Sequence, residues 1–94
     1  FTHRDQGIRV SVLCPQGVDT ALLRAAGASS SALVDGVITP AQCADAAIEG
    51  IRNETFCILP HPKVADYMKN KTADYNRWIA GMAKLQRALK AGRA

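Results

Sequence analysis

Two segments of strand length, the alternating Ile8 to Cys14 and the apolar Phe56 to Leu59, stand on either side of one strongly signalled helix. Strand, helix, strand with so long a crossover implies parallel pairing within one sheet and a right-handed connection. In the first run Ile8, Val10 and Val12 share a face at period two. It then turns wholly apolar at Val12-Leu13-Cys14, as strands covered on both faces do. Pro15 ends it, because proline has no N–H for a ladder. The first strand is therefore expected at about 7–14 and the second at about 56–60.

The helix between them, expected at about 40–53, starts at Thr39-Pro40-Ala41-Gln42. Thr39 can accept from the amide three residues on, Gln42 can reach back, and Pro40 suits the first helical position. Ala44, Ala47, Ile48 and Ile51 then recur at i, i+3, i+4 and i+7 as the expected packing stripe. Pro15 to Thr20 reads as a turn, and Ala21 to Ala26 as a short helix before Gly27. The segment 21–39 as a whole reads as a loop over the strand end, rich in Gly, Ala and Ser from Gly27 onwards. Loops of such length inside a small domain are often functional.

After Leu59, Pro60-His61-Pro62 breaks the strand. His61 between two prolines is expected to cap a helix or to be solvated rather than to act as a base. Helical spacing resumes at Val64, Tyr67 and Met68, and again at Tyr75, Trp78, Ile79, Met82, Leu85 and Leu89. Two C-terminal helices are expected within about 62–91, with Thr72-Ala73-Asp74 at their joint. Their aromatic and methionine stripe reads as packing surface.

The 94 residues suffice for one small domain, and a 48% hydrophobic, 21% charged composition excludes intrinsic disorder. No apolar run approaches the roughly 20 residues of a membrane-spanning helix, so no membrane partner is expected. Charge is uneven within the net +4. Residues 75–94 carry Arg77, Lys84, Arg87, Lys90 and Arg93 with no acid, whereas residues 1–74 hold all eight acids against seven cations. Cations are favoured near a helix C-terminus by its dipole, and the tail lacks aromatic residues beyond Trp78 to stack bases. A nucleic-acid partner is not expected. Cys14, Cys43 and Cys57 are odd in number and form no CxxC, so they read as free thiols in a cytoplasmic protein and as no metal site. The chain begins with Phe1 and shows no signal-peptide pattern, and it is expected to be a piece of something longer.

The order of these elements resembles the short-chain dehydrogenase/reductase family over essentially all 94 residues. Ile8 to Pro15 resembles that family's sixth strand, and Pro15-Gln16-Gly17-Val18-Asp19-Thr20 its Pro-Gly-x-Val-x-Thr turn. Thr39 to Ile51 and Phe56 to Leu59 resemble the helix and seventh strand that follow. The resemblance implies an α/β fold, the C-terminal part of a Rossmann-like doubly wound parallel sheet, with strand-helix-strand followed by C-terminal helices. It implies that the chain is the C-terminal segment of an NAD(P)-dependent oxidoreductase, supplying part of the nicotinamide pocket, the substrate lid and an oligomer contact.

Residue by residue, the resemblance implies that Val18 offers backbone groups to the carboxamide of NAD or NADP. Thr20 would place a hydroxyl near the carboxamide or pyrophosphate, and Pro15 and Gly17 would shape the turn. Leu22 and Leu23 would begin the substrate lid. Gln16 departs from the family, standing where a glycine is usual, which puts the contacts of the turn in question. The family's glycine-rich loop and its catalytic Ser, Tyr and Lys have no counterpart here. Tyr67 and Lys71 have the Tyr-x-x-x-Lys spacing but lie on the tail, after the second strand, and read as a helical surface pair. The chain alone is thus expected neither to transfer hydride nor to bind the cofactor tightly. Its expected partners are an N-terminal nucleotide-binding portion or further copies, with a small-molecule substrate in the complete protein. The alternative reading is a non-catalytic oligomerisation or basic-tail binding module.

Overall fold

Thr39 opens the central helix by a reciprocal cap. Its Oγ1 accepts from the Gln42 amide at 3.1 Å while the Gln42 carboxamide oxygen accepts from the Thr39 amide at 2.8 Å. Two amides that lack intrahelical acceptors are thereby satisfied. The structure, a computed structural model, describes residues 1–26 and 36–92. After a single 3-10 turn at Arg4–Gln6 come β1 (Val12–Leu13), α1 (Ala21–Ala26), α2 (Pro40–Arg52), β2 (Cys57–Ile58), α3 (Lys63–Ala73) and α4 (Tyr75–Ala91). The expected loop beyond Ala26, up to residue 35, lies outside the described residues.

β1 and β2 pair in parallel, with Val12 opposite Cys57 and Leu13 opposite Ile58. The expected doubly wound parallel sheet is not what forms. The described chain is 60% helix with a two-stranded sheet, a small mixed fold. The ladder is short for a local reason. On one side the chain enters β2 from α2 through a turn in which Glu54 takes a left-handed φ of 55°. On the other side Pro15 and Pro60 bring no N–H. Beyond the ladder, side chains tie the two segments. The Ser11 hydroxyl donates to the Thr55 carbonyl at 2.7 Å, and the Arg9 guanidinium meets the Glu54 carboxylate at 3.0 Å.

Burial on both faces of the first strand is also not found. Val12 and Leu13 are each 41% exposed, because two strands and one helix leave much of the sheet uncovered. Of the expected stripe on α2 only Ala47 packs, and Ala44 is exposed. Ile48 and Ile51 are exposed, whereas Cys43, Ala46 and Ala47 are half-buried and Gly50 is buried. The packing face is rotated onto the small residues, since Gly50 lets Ile58 lie directly against the helix backbone. Ile58 and Val64 are the buried hydrophobic residues among those described.

α3 and α4 are separated by Asp74 alone, whose carboxylate accepts from the Arg77 amide at 3.1 Å and caps α4. The Lys71 ammonium lies 4.5 Å from the centre of the Trp78 ring, a cation–π contact across the joint. The Cα radius of gyration is 16.3 Å, against about 12 Å for a compact domain of this length. No helix among the described residues is long and apolar enough to cross a membrane.

Candidate functional site: the turn after β1

Parallel pairing sets the carboxyl ends of β1 and β2 side by side, so that the segments leaving them meet. Pro15 to Thr20 leaves β1, and Pro60-His61-Pro62 leaves β2. His61 joins them. It is buried, at 3% exposure, rather than solvated as its flanking prolines suggest. The Gln16 amide donates to His61 Nδ1 at 3.0 Å, and an amide can only donate, so Nδ1 carries no proton in this arrangement. The other ring nitrogen, Nε2, then bears the hydrogen and donates to the Gly17 carbonyl at 3.1 Å. One neutral ring thus satisfies a donor and an acceptor of adjacent residues.

The turn is held a second time from its other side. The Ile38 amide donates to the Gly17 carbonyl at 3.1 Å, and the Asp19 amide donates to the Ile38 carbonyl at 2.9 Å. This is a parallel bridge between Val18 and Ile38. Both lone pairs of the Gly17 oxygen are used, one by His61 and one by Ile38. In a parallel bridge the bonded groups belong to the residues flanking Val18, so the N–H and C=O of Val18 itself point to the opposite edge. Among the described residues neither has a hydrogen-bond partner. The result is a fixed donor–acceptor pair, half-buried, on the outer edge of an immobilised turn.

Thr20 closes the turn by capping α1. Its hydroxyl oxygen accepts from the Leu23 amide at 3.3 Å, leaving the hydroxyl hydrogen to donate elsewhere. Asp19 is paired with Arg24 at 2.6 Å. Leu22 and Leu23 stand in the first turn of α1, Leu22 outward at 82% exposure and Leu23 half-buried. Pro15 and Gln16 are exposed and Gly17 is buried. Glu54 alone among the described non-glycine residues has a positive φ, so Gln16 sits in ordinary backbone and needs no glycine there.

Two cysteines flank this site from beneath. Cys14 and Cys57 lie on the same face of the paired strands, and both are half-buried. The Cys57 thiol is pushed up from its ordinary value of 9.0, first by burial, then by the neighbouring Cys14 through charge and hydrogen bonding. At a given pH Cys57 therefore carries less thiolate than a free thiol, and the thiolate is the nucleophile. Alkylation of Cys57, followed by mass analysis of its peptide, is expected to need a higher pH than a small-molecule thiol. Cys14→Ala should move that pH down, and a Cys57 that reacts like a free thiol would count against the coupling.

His61 is the member of this site that sequence reasoning missed. A signal was present: in a parallel pair, whatever follows one strand sits beside whatever follows the other. Tyr67 and Lys71 lie away on α3, where the Lys71 ammonium is engaged by Trp78. Two open clefts lie elsewhere, one of about 320 Å³ at the α3–α4 joint between Asn70 and Trp78, the other of about 400 Å³ around Phe1, Val10 and Phe56. Among the described residues no three His, Cys, Asp or Glu side chains gather as metal ligands would. Compared with models of protein families, with curated proteins and with solved structures, the chain matches none.

Proposed function

We propose that this chain is a segment of an NAD(P)-dependent oxidoreductase. In this reading its 15–20 turn receives the nicotinamide carboxamide, α1 begins the substrate-facing lid, and its C-terminal helices contact another chain. The observation that carries the reading is the outward N–H and C=O of Val18. A primary carboxamide presents one acceptor and a pair of donors, and the two backbone groups of Val18 complement it. The immobilised turn supports the same reading, because a ligand site that is already ordered loses little entropy on binding. Thr20 retains a hydroxyl hydrogen for a second polar contact on the cofactor. Phosphate binding and proton transfer fall to residues outside this chain, in a nucleotide-binding portion or a second polypeptide. The three free thiols favour a cytoplasmic setting for it.

The test compares two dinucleotides on the native polypeptide that carries this turn. Reduced nicotinamide adenine dinucleotide, with or without the 2′-phosphate, is expected to bind. The analogue with a carboxylate in place of the carboxamide is expected to bind at least about tenfold more weakly. The Val18 carbonyl would then face an oxygen with no hydrogen to give, an unmade bond costing about 1–3 kcal/mol. Equal binding of the two, or binding of neither, would overturn the reading.

A further inference from the structure

We infer that Cys14 and Cys57 together form a two-thiolate site for copper(I), a soft monovalent cation. The pair is made by the fold and not by spacing along the chain. Val12 stands opposite Cys57 and Leu13 opposite Ile58, so the next residue, Cys14, returns by alternation to the face that Cys57 occupies. Ile58 points to the other face, against Gly50, so α2 does not lie over the two thiols. Both are half-buried and neither is in a disulfide. Their sulfurs are neighbours, since Cys14 acts on the Cys57 thiol through charge and a side-chain hydrogen bond.

The separation decides what bridges them. Cys14 and Cys57 are diagonal neighbours, one strand spacing across and two residues along, which puts their Cα atoms about 8 Å apart. A disulfide takes Cα atoms at most about 7 Å apart and sulfurs about 2.0 Å apart, so joining the thiols directly would require the backbone to move. A metal ion in line between two sulfurs, at about 2.3 Å from each, spans about 4.6 Å. That added length matches the diagonal.

The ligand count decides which ion. Zinc takes four ligands, and calcium and magnesium take a shell of oxygens. Among the described residues no third His, Cys, Asp or Glu joins the pair. Cys43 sits on the face of α2 that meets the other side of the sheet, and both ring nitrogens of His61 are bonded to the turn. Soft thiolates select copper(I), which is satisfied by two of them in line. On binding, two S–H bonds break and their protons go to solvent while two Cu–S bonds form. No electron is transferred, and the site is left with one negative charge.

The inference is independent of the cofactor reading, so the experiment omits nucleotide. Copper(I) is titrated into the native protein without oxygen, with a non-thiol reductant, against a chromogenic copper(I) chelator. The protein is expected to withdraw one copper(I) at this site. Cys14→Ser and Cys57→Ser should each weaken binding at least about a hundredfold, more than the loss of an outer-shell partner does. Cys43→Ser should leave it unchanged, and equal circular dichroism shows that the variants remain folded. Because two protons are released, affinity below the thiol range should fall about a hundredfold per unit of pH. No withdrawal of copper(I), or binding indifferent to Cys14→Ser and Cys57→Ser, would overturn the proposal. Should either variant lose its fold, the native protein decides alone. A fall of only about tenfold per unit of pH, or an X-ray absorption spectrum showing other than two sulfur neighbours on copper, would overturn it.

Discussion

His61→Ala is expected to destabilise the chain by about 2–4 kcal/mol, read from the denaturant midpoint. The ring fills buried space and bonds two backbone groups, the Gln16 amide and the Gly17 carbonyl. Ala leaves both contacts unmade and a void where the ring stood. The Gly17 oxygen keeps its bond from Ile38, so the loss falls most heavily on the Gln16 amide. Hydrogen exchange should show it: the Gln16 amide, slow in the parent, should exchange in the variant at the rate of an exposed turn amide. The Asn53 amide, bonded to Glu49 at the end of α2, should be less affected because its partner is local. A change of less than about 0.5 kcal/mol, with Gln16 exchange unaltered, would mean that the turn is held by Ile38 alone.

Gly50→Val is the second large effect, at about 2–3 kcal/mol of destabilisation. An added Cβ at residue 50 falls 2.5 Å from both Cγ1 and Cδ1 of Ile58 and 3.2 Å from its Cγ2. Contacts under 3 Å are not tolerated, and three atoms of one buried side chain cannot all move aside. Either Ile58 leaves its place or α2 lifts from β2. Gly50→Ala meets the same atoms but gains about 1 kcal/mol of helix propensity, so its net cost should be smaller. Pairing the substitution with Ile58→Ala tests the cause. The double variant should be less destabilised than the two single effects added together, since the clash exists only when both side chains are present.

What was legible in the sequence was local. Thr39, Pro40 and Gln42 satisfy each other within one turn of helix, and Asp74 caps the residues just after it. Such interactions depend on spacing along the chain, which a sequence displays. Strand length and sheet extent depend instead on what stands opposite. The alternation at Ile8, Val10 and Val12 cannot reveal that the paired strand spans only Cys57 and Ile58. Nor can it reveal how many strands join, and the doubly wound sheet drawn from a family resemblance gives way to a two-stranded pair. The packing face of α2 departs from the periodic one for a related reason. Period alone favours the large apolar residues Ile48 and Ile51, whereas close approach to Ile58 favours the glycine. His61 went unread because its partners lie 44 and 45 residues away and are backbone groups, which carry no residue-type signal.

In the proposed function the turn after β1, stapled by His61, presents the backbone of Val18 to a nicotinamide carboxamide. The most direct measurement is the amide resonance of Val18 in the native protein as reduced nicotinamide dinucleotide is added. The Val18 signal is expected to move downfield as its N–H gains an acceptor, with smaller shifts at Gly17 and Asp19. Shifts confined to the basic positions Lys84, Arg87 and Lys90 of α4, with Val18 unmoved, would contradict it.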